Sequence, residues 1–207
     1  MDLFEAMLTQ RAIRKFKPDP VPEELLWKVL DAAVRAPNGG NLQPWGFVVV
    51  RDMEMKRRIR ELYLDGMDNV TRPSEGPKVR RSLEERLKTP SYYLAYHVTE
   101  VPVLIIGTVK LADIASTTPP GACIYPALQN LMLAARAVGL GTVLTTVVRH
   151  READLKLVLG IPEGIKVMAL IPMGWPQGRF GPTKREPPET VTHWDRWGVS
   201  RNRTATS

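Results

Sequence analysis

Three short stretches carry residues whose types and spacing could do chemistry. In Arg11-Ala12-Ile13-Arg14-Lys15-Phe16, two arginines stand three apart with a lysine beside them, at the expected end of a helix. Guanidinium forks satisfy phosphate oxygens in pairs, so the functional reading is a phosphate grip. The plainer reading is a solvated helix terminus answering the macrodipole. In Pro37-Asn38-Gly39-Gly40-Asn41-Leu42-Gln43-Pro44-Trp45, adjacent glycines allow close backbone approach to a ligand, and three amides offer donors and acceptors without charge. Such a loop suits a flat heterocycle with mixed polar edges, whereas a tight turn alone needs neither Asn41 nor Gln43. The third stretch, Gly181-Pro182-Thr183-Lys184-Arg185-Glu186-Pro187-Pro188, pins a basic pair between prolines and by itself reads as a linker.

Little else suggests catalysis. His97, His150 and His193 lack metal-ligand spacing, and there is no nucleophile elbow or phosphate-binding loop with its lysine, so metal and acyl-transfer chemistry rank last. Gly139-Leu140-Gly141 follows a helical stripe and opens a strand, the reverse of the dinucleotide-binding order, and reads as a helix stop. The single cysteine, Cys123, sits among small and apolar residues and reads as a buried thiol.

The elements that must position these stretches follow from periodicity. Asp2 caps a short helix to about Gln10 that puts Leu3, Phe4, Met7 and Leu8 on one side. Pro22 opens a second helix to about Arg35, and the valine-rich run Trp45 to Val50 is expected as a central strand. Residues 52–64 look helical, with Glu54, Glu61 and Asp65 making Lys56 to Arg60 part of a solvated face. Gly66, Pro73, Gly76 and Pro77 break the period over 66–78; a charged helix over 79–88 and a strand from Val101 to Val109 follow. The helix Ala122 to Val138 is apolar on almost every side, so it must be buried in the domain or against a second subunit. Gly141 to Val148 is a third strand, Glu152 to Leu159 a helix stopped by Gly160, and Val167 to Met173 a fourth strand. Together they predict an α+β architecture with one central sheet.

At 207 residues, 43% hydrophobic and 25% charged, the chain is expected to form one globular domain over 1–198, with a C-terminal arm over about 180–198 and a disordered tail over 199–207. No apolar run approaches the roughly 18 to 20 residues of a membrane span, and the acidic start Met1-Asp2-Leu3-Phe4-Glu5 is unlike a secretory signal, which places the protein in the cytoplasm and off the membrane. The net charge of +7 invites a nucleic-acid reading. The surplus is spread thinly, however, without an arginine-aromatic platform, which argues against nucleic acid and leaves a modest pull on anionic ligands.

Taken together and in order, the three stretches resemble the nitroreductase superfamily of FMN-dependent oxidoreductases. Five elements carry the likeness over nearly the whole chain: Arg11 to Phe16, Pro37 to Trp45, Ala122 to Thr142 closing in Gly-Leu-Gly-Thr, Leu159 to Pro162, and the basic-Pro element Lys184 to Pro187. Ala12 and the pair Asn38-Gly39 stand where that pattern has serines, which removes a hydroxyl contact to phosphate and alters contacts at the flavin edge. The resemblance implies a mostly antiparallel sheet flanked by helices in an intertwined homodimer, with FMN in a cleft at the subunit interface. It assigns Arg11, Arg14, Lys184 and Arg185 to the phosphate and ribityl chain, and Ala12 to a backbone contact. Asn38, Gly39, Asn41 and Gln43 would line the ring, and the backbone of Leu144, Thr145 and Thr146 would meet its N5 and O4 edge. No side chain would be catalytic, since the flavin carries the chemistry. It further implies hydride transfer from NADH or NADPH and ping-pong reduction of a small electrophile such as a nitroaromatic or quinone. The apolar helix Ala122 to Val138 would be dimer core, Trp194 and Trp197 would hold the arm on the partner, and Tyr92, Tyr93 and Tyr96, within a pocket lid over 66–98, would stack on aromatic substrates. Alternatives are dehydrogenation, reductive dehalogenation or flavin breakdown on the same fold and, from charge alone, a basic polyanion-binding module.

Overall fold

The computed structural model describes residues 1–69, 82–201 and 203; part of the irregular stretch expected over 66–78, and of the tail from 199, lies outside them. Four antiparallel strands form one sheet: β1 Trp45–Val50, β2 Val103–Lys110, β3 Gly141–Thr142 and β4 Ile165–Gly174, in the order β1-β2-β4-β3. Side chains alternate between the faces of a strand, and both faces of the two inner strands are covered, which is why β2 reads as an unbroken apolar run. Val103, Ile105 and Val109 join one core layer with Val29, Leu128 and Leu131; Leu104 and Ile106 join the other with Ile59, Leu94 and Leu155.

Helices α1 Leu3–Thr9, α2 Glu23–Ala33, α3 Met53–Asn69, α4 Leu83–Leu87, α5 Pro90–His97, α6 Pro120–Ala137 and α7 Glu152–Leu159 supply those layers. Asp2 caps α1 by accepting from the Glu5 N–H at 3.4 Å. Only Ala6 of α1 is buried, and Leu3, Phe4 (76% exposed), Met7 and Leu8 remain in solvent. α6 buries Ile124, Ala127, Leu128, Leu131 and Ala135 within its own chain, so its apolar surface is explained without a second subunit. It ends at Gly139, whose φ of +85° lets the Leu140 N–H return to the Ala135 carbonyl at 2.8 Å. Gly160 closes α7 in the same left-handed conformation.

Three expectations are corrected. The strand Trp45–Val50 lies at the sheet edge, not its centre, and most of its side chains are half-buried. The third strand is only Gly141–Thr142: one further bridge, Thr145 to Leu170, follows before the chain turns into a 3-10 helix over Val147–Arg151. Helix α3 runs through Gly66 to Asn69, because that glycine is packed against the Val147 main chain, where a Cβ would lie 2.7 Å from the carbonyl oxygen. Among the described residues no helix is long and apolar enough to cross a membrane.

The basic run on α3 is only partly a solvated face. Arg57 pairs with Glu54 in solvent, but Lys56 is 5% exposed and its Nζ donates to the Pro102 carbonyl at 3.0 Å. Burial, aided by the Arg51 cation, pushes the Lys56 ammonium below its ordinary 10.5. The folded chain thus releases this proton before the unfolded chain does. Unfolding takes up a proton in the window below pH 10.5, and stability rises with pH across it. Lys56→Met is expected to lack that rise; urea unfolding at neutral and alkaline pH compares the slopes, and equal slopes would show that Lys56 titrates normally.

Candidate functional site

After α1 the chain runs as a ribbon along the β3 edge of the sheet. The Ile13 N–H donates to the Thr142 carbonyl at 2.9 Å, and Gly141 leaves the room that Ile13 fills, a Cβ there lying 2.9 Å from Ile13 Cβ. Farther on, the Lys17 N–H donates to Trp175 at 2.8 Å and the Gln177 N–H to Lys15 at 3.1 Å, prolonging the ribbon past the end of β4. Arg11, Ala12 and Arg14 are thereby set beside the strand that leads to Leu144.

The C-terminal arm comes back to the same place. The Thr183 N–H and hydroxyl both donate to the Leu8 carbonyl, at 2.9 and 3.3 Å. Arg136 lies 4.0 Å over the Phe180 ring while its Nε donates to the Thr9 hydroxyl at 2.9 Å. A Cβ at Gly181 would sit 3.9 Å from Arg11 Nη1. Lys184 and Arg185 follow directly, exposed, with Arg185 Nη1 donating to the Lys184 carbonyl at 2.8 Å. Residues from near both ends of the chain thus bring three cations, Arg11, Lys184 and Arg185, to one corner, with Arg14 just along the ribbon. Among the described residues no carboxylate pairs with any of the four. Uncompensated guanidinium groups grouped this way form a cradle for an anion such as phosphate.

Next to that corner, one main-chain donor faces outward. The N–H groups of Val143 and Thr145 donate to Pro172 and Leu170 on β4, at 3.4 and 3.0 Å. By strand alternation the Leu144 N–H points away from the sheet. Thr146, at φ −109° and ψ 2°, then bends the chain out of the strand. A planar ring with acceptor atoms along one edge can lie against this segment while its phosphate reaches the arginines.

The amide loop lies elsewhere. Gly40, Asn41 and Gln43 have φ of 59°, 54° and 51°, and for the two non-glycine residues that left-handed geometry carries strain of about 1 kcal/mol each. The loop is held by its own side chains: Asn38 Oδ1 accepts from the Gln43 N–H at 2.8 Å, and Gln43 Nε2 donates to the Asn41 carbonyl at 3.4 Å. Its exit, Pro44, accepts from the Lys110 N–H at 2.8 Å, at the far end of β2. Three strand spacings and most of a strand length separate Pro44 from Thr142, roughly 25 Å. One chain therefore sets Arg11, Ala12, Arg14, Leu144, Thr145 and Thr146 along one sheet edge, with Lys184 and Arg185 on the arm that returns to α1 and Arg11, but leaves Asn38, Gly39, Asn41 and Gln43 at the diagonally opposite corner.

The structure adds Glu100, Val101 and Tyr63, which sequence reasoning passed over, to residues it had named. A small cleft beside the ribbon is lined by Arg14, Phe16, Tyr93, His97, Glu100 and Val101. Lys15 Nζ is 4.6 Å from the Tyr93 ring centre, Tyr93 stacks on His97 at 4.2 Å, and His97 Nδ1 is 2.8 Å from Glu100 Oε1. Of the three tyrosines on α5, Tyr93 faces the site. Tyr92 hydrogen-bonds the Met67 carbonyl at 3.3 Å, and Tyr96 lies under Arg60 at 5.8 Å. Tyr63 of α3, only 2% exposed, lies with its phenol beside Thr145 and within the field of the Arg14 cation. Burial raises its phenol above the ordinary 10, a shift that Thr145 and the Arg14 cation partly offset. Its spacing from Ile59 hides it in the sequence as one more core residue.

Comparison with known proteins bears on the family and the fold. The NADH dehydrogenase of Thermus thermophilus is 31% identical over 200 residues, covering 94% of this chain and 96% of that protein. Iodotyrosine deiodinase 1 of Rattus norvegicus is 29% identical over 181 residues, 84% of this chain but 62% of the longer relative. A crystal structure of a nitroreductase with bound FMN from Desulfitobacterium hafniense covers 94% of this chain and 100% of its own at a TM-score of 0.73 and 19% identity, a likeness of fold. The sequence profile of the Nitroreductase family matches residues 7–175. The ribbon, the outward-facing edge and the buried helical layers between them therefore belong to a member of the nitroreductase family.

Proposed function

We propose that this chain is an FMN-dependent oxidoreductase that draws hydride from NADH or NADPH and reduces a small electrophile, a nitroaromatic or a quinone, in ping-pong order. The observation that carries the reading is the meeting of unpaired Arg11, Arg14, Lys184 and Arg185 beside the outward edge at Leu144. A phosphate and a polar ring edge on one molecule fit that pairing of features. When bound, FMN supplies the hydride acceptance and donation that no side chain here can perform.

The residues of the chain bind and orient. Arg11, Arg14, Lys184 and Arg185 hold the phosphate and ribityl chain, and Ala12 contributes only main chain there. Leu144 presents its outward N–H to the ring edge, favouring negative charge on the reduced ring, and the main chain of Thr145 and Thr146 lines that edge. Asn38, Gly39, Asn41 and Gln43 line the ring in a homodimer, because only a second copy can bring that loop to this corner. The exposed apolar residues of α1 and of the arm, including Trp194 and Trp197 (89% exposed), suit burial against such a copy. Residues 1–198 then act as one domain carrying the arm over 180–198, working in the cytoplasm.

The test begins with colour. Purified protein is expected to be yellow, or to become so with FMN, to bleach anaerobically with NADH or NADPH, and to recover its colour with menadione or a nitrofuran. Colourless protein that refuses FMN and retards DNA would replace this reading with a polyanion-binding module. The deiodinase relatives favour a second reading, reductive dehalogenation at the same site; colour recovery with an iodophenol, faster than with menadione, would select it.

A further inference from the structure

We infer that the small cleft beside the ribbon holds a phosphate of the nicotinamide dinucleotide that donates hydride, with Lys15 as its principal contact. The inference rests on the FMN reading and gives the charge of the second ligand a place.

The cleft adjoins the phosphate grip through Arg14, which lines it together with Phe16, Tyr93, His97, Glu100 and Val101. Its polar groups stand in a row. Lys15 Nζ rests 4.6 Å from the centre of the Tyr93 ring, the His97 ring stacks on that tyrosine at 4.2 Å and within 20° of parallel, and His97 Nδ1 meets Glu100 Oε1 at 2.8 Å. An ammonium and a stacked imidazole at those distances cannot share one face, so Tyr93 keeps no face for an aromatic substrate. Glu100, the one carboxylate in the wall, is engaged by His97. Lys15 is exposed, and among the described residues no carboxylate pairs with it. The cleft therefore offers a compact cationic site and no slot for a ring.

The charge of the site then selects the ligand. A phosphate monoester carries roughly two negative charges. Arg11, Arg14, Lys184 and Arg185 already exceed that with four positive ones, and Lys15 adds a fifth next to Arg14. A neutral nitroaromatic or quinone has no use for the surplus. NADH and NADPH do, through the pyrophosphate common to both and the 2′-phosphate of NADPH alone. A lysine resting on a tyrosine face gives up little on moving to a phosphate oxygen, because a charge-assisted hydrogen bond replaces a weaker contact.

The test uses FMN-loaded wild-type protein, Lys15→Met, Lys15→Arg and Glu100→Gln. Nucleotide affinity is read from the half-saturation of anaerobic bleaching by NADH and NADPH, and by calorimetric titration with NAD⁺ and NADP⁺. Lys15→Met is expected to weaken it about three- to tenfold, the scale of a solvent-exposed charge contact. A loss confined to NADPH and NADP⁺ assigns the 2′-phosphate; a loss shared by all four assigns the pyrophosphate. Glu100→Gln, which removes negative charge from the same wall, should tighten binding about two- to threefold, an opposite sign that lost packing would not give. Lys15→Arg keeps the charge and should stay close to wild type. Unchanged nucleotide affinity in folded, FMN-loaded Lys15→Met would overturn the inference and leave the FMN reading standing. So would an equal slowing when menadione, which is uncharged, reoxidises dithionite-reduced protein, since the effect would then belong to the flavin. Should Lys15→Met fail to load FMN, Glu100→Gln decides alone, and binding that does not tighten counts against the cleft. Wild-type protein that takes up no FMN would overturn both readings.

Discussion

Arg14→Ala is expected to loosen FMN by about 10- to 100-fold, and Arg185→Ala by a similar factor, although 170 positions separate them in the chain. A hydrogen bond to a charged group contributes about 1.5–3 kcal/mol, and each ~1.4 kcal/mol is a factor of ten. Both side chains approach one corner because Thr183 is bonded to Leu8 and Gly181 lies against Arg11. Arg14→Lys should recover only part of the loss, since an ammonium cannot grip two oxygens with the geometry of a guanidinium. Fluorescence titration of flavin-free protein measures all three variants. Unchanged affinity in Arg185→Ala beside a large loss in Arg14→Ala would remove the arm from the site and leave the ribbon alone.

Leu128→Ala should lower the unfolding free energy by about 2–5 kcal/mol, the range for removing a fully buried leucine side chain and leaving its cavity. Leu128 is 0% exposed at the middle of α6 and seats in the notch left by Gly107, where a Cβ would be 3.0 Å from Leu128 Cδ2. The β2–β4 register shifts at this same point, between Gly107 and Thr108, so the leucine packs against an irregularity of the sheet. Leu128→Met, close in volume, should cost less than about 1.5 kcal/mol. Equilibrium urea denaturation gives both numbers; a loss under about 1 kcal/mol for the alanine variant would mean that the surrounding core closes over the gap.

Much of this architecture is legible from local rules. α7 ends at Gly160 and α6 at Gly139 because a left-handed residue is needed to return the final amide to the helix, and glycine marks the position. The phosphate-side residues are likewise visible as arginines in an unusual local density. What was misread depends on neighbours distant in sequence. Trp45–Val50 is apolar on both faces, which looks the same whether the strand is flanked on two sides or only one. Gly66 carries the composition of a breaker and works as a point of close packing, a role set by Val147 some eighty residues later. Val143 to Val148 has the β-branched content of a strand, yet the chain curls after Thr145 because α3 lies across its path. Tyr63 follows the spacing of a core helix, and only the fold sets it beside Thr145 and Arg14.

The separation of the amide loop from the ribbon across the sheet diagonal has a genetic consequence. In the proposed pairing each pocket takes its basic half from one polypeptide and its amide half from the other. A lesion in residues 11–14 and a lesion in residues 38–43, carried on different copies, would place both defects in one pocket of the mixed assembly and none in the other. Two inactive alleles expressed together would then rescue each other.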